Sequence, residues 1–476
     1  MSAYDAVIIG SGPNGLAAGI ALSQEGKRVL ILEAHKEVGG GTRTAELTLP
    51  GFHHDVCSAV HPSGFISPFF KTLPLEKFGL EWIHPEVSVA HPLDNAPAIL
   101  LKKSIKDTAT QLGQDSNRWV SLFEEFVGAS DALFKDTMAP LQIPNNPILL
   151  SKFGLKGARS AVSFVNSYFK DEQAKALFAG CAGHSILPFD KMLTSAFAMM
   201  FVIQGHVTNW PIVKGGSQNL AKALSGYFVS LGGTITTNTR ITNFEQLPKA
   251  KAYLFDTDPK QLAAICKDEL PKSYLNRLHN YKYGPGIFKV DWALSESIPW
   301  KDPNCLKAST VHVGGTFNEI AKSEKDMWEG RHSEKPFLIL CQQSEFDATR
   351  APKGQHTGYA YCHVPNGSTK DMTAAIESQI ERFAPGFKNI ILSRHKTSTK
   401  EFQDYNPNYL GGAITGGVSD ISQLFTRPVA RLNPYSTPNP SIYICSASSP
   451  PGGGVHGMCG YYAAKSVLNK KATIKK

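Results

Sequence analysis

An apolar run from Tyr4 to Ile9 passes directly into Gly10-Ser11-Gly12-Pro13-Asn14-Gly15, and a second apolar run ends on an acid, Glu33. In such a pattern Gly10 permits a sharp turn, Gly12 lets the backbone lie against a pyrophosphate, and Gly15 lets the following helix pack close to the strand. The helix read over 14–25 turns its N-terminal amides and the positive end of its dipole toward phosphate oxygens. Glu33, at the tip of the second strand, is placed to accept hydrogen bonds from ribose hydroxyls, which favours an unphosphorylated ribose. A glycine triplet by itself also makes ordinary turns. Strand, helix, second strand and acid in register favour a bound dinucleotide.

The chain has 476 residues, more than one ordinary core holds, so two domains are expected. With 42% hydrophobic and 19% charged residues, core material is ample. The net charge of +9 is modest for this length. Solubility accounts for it, and attraction to anionic phosphates or to an anionic membrane surface is the other reading. No block of Lys and Arg interleaved with aromatics marks a nucleic-acid face. The eight cysteines include no CxxC pair and read as reduced, buried thiols. His53-His54-Asp55 and Cys362-His363 have metal-ligating side chains, but neighbours on a strand point to opposite faces, so no metal is expected. The first strand starts at Tyr4, which leaves no room for a signal peptide. No apolar run reaches the ~18 residues of a membrane span. The expected location is cytoplasmic, with a peripheral place on the cytosolic membrane face left open by the basic, amphipathic stretch 149–170.

The spacing of elements predicts a discontinuous architecture. Residues 1–85 begin a nucleotide-binding domain, and 86–209 leave it through a hairpin near Asp94-Asn95 and a helical region interrupted at Pro140, Pro144 and Pro147. Residues 210–265 resume it: Lys214-Gly215-Gly216 leads into a helix, Gly232-Gly233 ends that helix, and 251–255 form a strand before Asp256-Thr257-Asp258-Pro259. Residues 266–400 supply short period-two strands at 287–295, 310–315, 337–341 and 359–364, an antiparallel sheet in a second domain. Residues 401–476 return with a strand over 441–445, then Gly452-Gly453-Gly454-Val455-His456-Gly457-Met458 and a closing helix.

Four separated places, Gly10 to Gly15 with Glu33 and Gly39-Gly40, Lys214-Gly215-Gly216, Asp256 to Pro259, and Pro450 to Gly457, make the chain resemble the phytoene-desaturase-like branch of the flavoprotein superfamily that also holds the amine oxidases. It is similar there to the pyridine-nucleotide-disulfide-oxidoreductase-domain proteins. The resemblance implies an α/β fold: a discontinuous Rossmann-like FAD-binding domain with an inserted α+β substrate domain that carries an antiparallel sheet and a helical region. It implies noncovalent FAD in an extended pose. Gly10, Gly12, Pro13, Asn14 and Gly15 would hold the pyrophosphate, and Glu33 with Ala34 the adenosine ribose. Gly40, Gly41, Thr42 and Arg43 would follow the ribityl side, with Arg43 open to a phosphate, and Ile241 would meet the adenine. Thr257 would lie alongside, and Gly454, Val455, His456 and Met458 would meet the pyrimidine edge of the flavin.

The implied chemistry is hydride transfer from a C–C bond of an apolar, isoprenoid or lipid-like molecule, with oxygen or a quinone as electron acceptor. Removing the accompanying proton calls for a base. His456 is the first candidate and His184 the second, with Trp210 and Phe201 as pocket walls. Oxidation of amines is the alternative. The chain departs from amine oxidases at Cys445-Ser446-Ala447-Ser448, where they carry a Gly-Glu step. A noncatalytic escort protein is a further alternative, and the intact glycine sites argue against it.

Overall fold

The computed structural model describes residues 4–473. Two sheets organise it. The first is parallel throughout, with its strands in the spatial order Ile442–Ile444, Ala250–Phe255, Tyr4–Ile9, Val29–Leu32 and Thr234–Thr236. Ile8 is in register with Leu254 on one side and Ile31 on the other. The central strands are apolar at every position because both faces are covered. Ala6, Ile8, Val29 and Ile31 face a core containing Leu16 and Ile20 of the helix Pro13–Gln24, Leu220 and Phe228 of Gln218–Ser230, and Ala463 of Met458–Thr473. Val7, Ile9, Leu30 and Leu32 face a second core with Leu262, Tyr274 and Leu278.

The other sheet has seven strands in the order Ile391–Thr397, Gly286–Leu294, His356–Val364, Leu338–Cys341, Ala308–Val313, Val87–His91 and Ile99–Lys102. It is mixed, whereas the sequence predicts it antiparallel. Ala308–Val313 runs parallel to Val87–His91, with Val311 beside Ala90. The hairpin near Asp94-Asn95 enters from far upstream and extends the sheet through this one parallel join. The strand Ile391–Thr397 escapes the sequence reading because Ser393, Arg394, His395 and Lys396 give it a polar character. It lies at the sheet edge, where charged side chains are tolerated. One face of the sheet packs Val290, Leu340, Ala360, Cys362 and Val364 against Ile376 and Ile380 of the helix Thr373–Phe383.

Between the two hairpin strands and the return to the first sheet lie helices that include Ser116–Gly128, Pro147–Gly157, Glu172–Gly183 and Thr194–Thr208. Pro147 starts its helix instead of breaking one, since its preset φ and missing N–H suit a first turn. Thr194–Thr208 is apolar on nearly every side and buried over most of its length. Among the described residues no helix is long and apolar enough to cross a membrane. Leu141, Ile143, Ile148 and Leu155 are exposed along the edge of the helical region.

Candidate functional site

A cavity of about 670 Å³ runs from the C-terminal ends of the parallel strands to the inner face of the mixed sheet. That is within the usual range for a bound small molecule or cofactor, and the strand ends are the customary ligand site of parallel α/β sheets.

At the outer end the local sequence explains the shape. Gly10 has φ +101°, and a Cβ on Gly15 would sit 2.1 Å from the Gly10 carbonyl oxygen, so the turn and the helix close on each other only with glycine at both places. Gly10, Gly12, Pro13 and Asn14 line the cavity. Gly15 does not: its N–H donates to Asp256 Oδ2 at 2.9 Å, behind the loop. Burial, joined by the neighbouring charge of Glu33, pushes the Asp256 carboxyl up to about 8. Near neutral pH it is therefore largely uncharged and spares an anionic ligand a second negative neighbour.

Glu33 lines the cavity and organises the loop from below. Its Oε2 accepts from the Ser11 N–H at 2.9 Å and the Ser11 hydroxyl at 2.5 Å, and its Oε1 accepts from the His35 N–H at 2.8 Å. Arg43 pairs with Glu33 at 3.3 Å, donates to the Glu37 carbonyl at 2.8 Å, and lies over the Tyr405 ring at 5.5 Å. The Arg43 side chain is thus engaged by Glu33 and Tyr405, a different arrangement from a guanidinium held open for phosphate. Ala34, Gly40, Gly41 and Thr42 line the same stretch, and Tyr405 donates to the Gly40 carbonyl at 2.8 Å. The Thr239 N–H, bonded to the Glu33 carbonyl at 2.8 Å, brings Ile241 to the wall. Thr257 also lines it. Thr257 Oγ1 and Asn14 Oδ1 are buried there without partners, the condition of groups that a bound ligand would satisfy.

Gly454 and Val455 line the cavity, but His456 and Met458 do not. His456 Nδ1 accepts from the Met458 N–H at 3.0 Å, the Ser67 hydroxyl donates to the His456 carbonyl at 2.7 Å, and burial pushes the imidazole down to about 4. The side chain at 456 thereby caps the start of the helix Met458–Thr473. The Gly215-Gly216 unit also lies off the cavity. A Cβ on Gly216 would sit 2.3 Å from Thr44 Oγ1, and the Gly215 and Ser217 amides donate to Asp347 and Asp55 at 2.7 and 2.8 Å. Arg350, wholly buried, bridges the same two acids at 3.1 and 2.7 Å. This glycine pair fastens the helix Gln218–Ser230 to the second domain.

The inner end is aromatic. His184, at the C-terminus of the helix Glu172–Gly183, stacks on Phe201 with ring centres 4.3 Å apart and meets the edge of Trp210 at 5.4 Å. His184 Nε2 lies 2.9 Å from His312 Nε2, and burial holds the His184 imidazole down at about 3. All three of the sequence candidates His184, Phe201 and Trp210 line this end. Opposite them the mixed sheet contributes alternate residues: Tyr359, Tyr361 and His363 from one strand, Ile339 and Cys341 from the next, and Thr310 from the third. Register aligns them, with Cys341 opposite Tyr359 and Thr310, and Ile339 opposite Tyr361. The intervening residues Ala360 and Cys362 belong to the core on the other face. Tyr359, Tyr361 and His363 are missed by sequence reasoning. Their period-two spacing is the available signal, and it reads equally well as an ordinary strand. Tyr405, Asn408 and Tyr409 also line the cavity from the segment after the second sheet.

A family model described as an NAD(P)-binding Rossmann-like domain matches residues 8–73. Over 98% of its length the chain is 23% identical to pyridine nucleotide-disulfide oxidoreductase domain-containing protein 2 of Rattus norvegicus, covering 93% of that protein. A limonene dehydrogenase of Castellaniella defragrans is 22% identical over 97% of this chain and 94% of its own. A solved oxidoreductase from Methanosarcina mazei superposes with a TM-score of 0.67 at 16% identity, over 98% of this chain and 99% of that one. The chain belongs to the FAD/NAD(P)-binding Rossmann family. Within it, phytoene desaturases are distant homologues, and the flavin amine oxidases share the fold. The Rossmann site described above, with its glycine loop, acid-tipped second strand and unpartnered polar atoms, is consistent with a flavin cofactor.

Proposed function

We propose that the chain is an FAD-dependent oxidoreductase that dehydrogenates a C–C bond of an apolar, isoprenoid or lipid-like molecule. The observation that carries this reading is the continuity of one cavity from the glycine loop and Glu33, past Gly454 and Val455, to an aromatic inner end. In this reading Gly10 to Asn14 hold the pyrophosphate through backbone groups, Glu33 takes the ribose hydroxyls, and Ile241 covers the adenine. Gly454 and Val455 then lie beside the reactive ring. Bound flavin supplies a two-electron acceptor for hydride. Phe201, Trp210, Ile339 and Tyr361 exclude water from the inner end, and among the described residues no acid lines that end to meet an amine, which supports a hydrocarbon over a cationic substrate. The limonene named for the dehydrogenase relative is a terpene and supports the same class. Oxygen or a quinone is the proposed acceptor.

The test is anaerobic reduction of the FAD-loaded protein by a panel of limonene, phytoene, a long-chain fatty acid, putrescine and cyclohexylamine, followed by flavin absorbance. Bleaching by a terpene or fatty compound is the expected result. Bleaching by the amines alone makes the protein an amine oxidase, and failure to bind FAD removes the oxidoreductase reading.

A further inference from the structure

We propose that His363, oriented by Glu324, is the catalytic base at the inner end of the cavity, accepting on Nε2 the proton that leaves substrate carbon during dehydrogenation. The assignment rests on the oxidoreductase reading above and adds the base that reading lacks, since the imidazole of His456 is spent on a helix cap.

Three observations converge on His363. It lines the cavity at the end of the row Tyr359, Tyr361, His363, with the Tyr361 ring 5.9 Å away. Its Nδ1 lies 2.9 Å from both Oε1 and Oε2 of Glu324, and the two side chains are 2% and 1% exposed. Its Nε2, on the other edge of the ring, is buried and has no hydrogen-bond partner.

These fix the chemistry of the ring. An ionised carboxylate only accepts, so the hydrogen it shares with His363 sits on Nδ1, and in the neutral imidazole Nε2 carries the lone pair. A buried acceptor left unpaired costs roughly 1–3 kcal/mol. A histidine present only to pair with Glu324 gains nothing from that cost, whereas a base must keep its acceptor open. Glu324 comes from the buried face of the helix Phe317–Trp328, which it shares with Phe317, Ile320 and Met327. An acid on that face calls for a partner, and His363 is the partner it has.

The remaining titratable groups facing His363 are His184, across the inner end, and Tyr361, on its own strand. Burial, with His363 as the next contributor, holds His184 low, and His312 beyond it is held low by burial too, so both imidazoles stay neutral. Burial raises the Tyr361 phenol above its usual range, so it stays protonated. In the step itself a substrate C–H bond breaks and its proton passes to Nε2. The electron pair becomes the second bond of the new C=C while hydride leaves the adjacent carbon for the flavin. The resulting imidazolium lies against Glu324, which offsets its charge in a site where water cannot.

Nitrogen-15 NMR of histidine-labelled full-length protein reads the ring directly, with the His363 signal identified by its loss in His363→Gln. The expected state near pH 7.5, with or without FAD, is Nδ1 protonated and Nε2 bare. A proton on Nε2 at that pH, as in a purely structural ion pair, overturns the assignment even if no variant folds. In FAD-loaded protein reduced by the panel member that bleaches wild type, His363→Gln is expected to slow bleaching by about 100-fold or more with FAD affinity unchanged. Glu324→Gln, the positioning variant, is expected to slow it less, alter its pH profile and leave KM near wild type. Unchanged rates and pH profile in both variants overturn the base while leaving the oxidoreductase intact. A panel that bleaches nothing overturns the oxidoreductase reading, and the tautomer then decides His363 alone.

Discussion

The two ends of the cavity are built by different means. The outer end is backbone: Gly10 to Asn14, Gly40-Gly41 and Gly454-Val455 bring peptide groups to the wall, and a few side chains such as Glu33 and Asp256 lock the loops in place. The inner end is side chain: His184, Phe201, Trp210, Ile339, Tyr361 and His363 come from three helical or loop segments and two strands. A backbone-built site suits a ligand common to many proteins, because peptide N–H groups recognise phosphate whatever the neighbouring side chains are. A side-chain-built site is free to change its ligand one residue at a time, and substrate choice belongs there.

Separate loss of the two ligands is the most direct challenge to this contrast. Gly15→Ala places a methyl 2.1 Å from the Gly10 carbonyl oxygen, which the loop cannot absorb without moving. It is expected to weaken FAD binding by about 100-fold, measured by fluorescence titration. Retained affinity would show that the glycine loop is not where the cofactor sits. At the other end Phe201→Ala removes the ring on which His184 stacks. It is expected to raise KM for the apolar substrate by about tenfold with FAD affinity unchanged. A matching loss of FAD affinity would erase the distinction between the ends.

Asp256→Asn gives the smallest effect and probes how the outer end is held. The carboxyl is raised from 3.8 to about 8 in the folded protein, so between those values the folded state holds a proton that the unfolded state has released. Stability of the wild-type apoprotein therefore falls as pH rises through that window. The variant lacks this loss, and its Tm advantage over wild type should grow from pH 5 to pH 8, measured by thermal melts. A constant difference would mean that Asp256 is ionised throughout.

Much of the outer end is legible in the residues. Gly10, Gly12 and Glu33 stand where their spacing places them, and the parallel sheet draws its strands from three distant stretches as the alternation implies. What the residues do not disclose is which motif groups face the ligand. Gly215-Gly216 has the look of a second ligand loop, yet Thr44 fills the space beside Gly216 and Asp347 takes the Gly215 amide. His456 sits inside a ligand-facing glycine run, yet its ring turns back onto the Met458 amide. In both cases the deciding contact comes from tertiary packing or a local turn that spacing does not encode.

The sequence by itself determined the dinucleotide loop, because turn, close approach and helix start are local consequences of glycine placed at fixed intervals. It also determined the alternating pattern of Tyr359, Tyr361 and His363, which puts them on one face of a strand. Only the tertiary structure decided that this face looks into the cavity and that Glu324 stands behind His363. Those relations depend on strand register and on a helix packed 39 residues away in sequence, and no local preference of the chain specifies either.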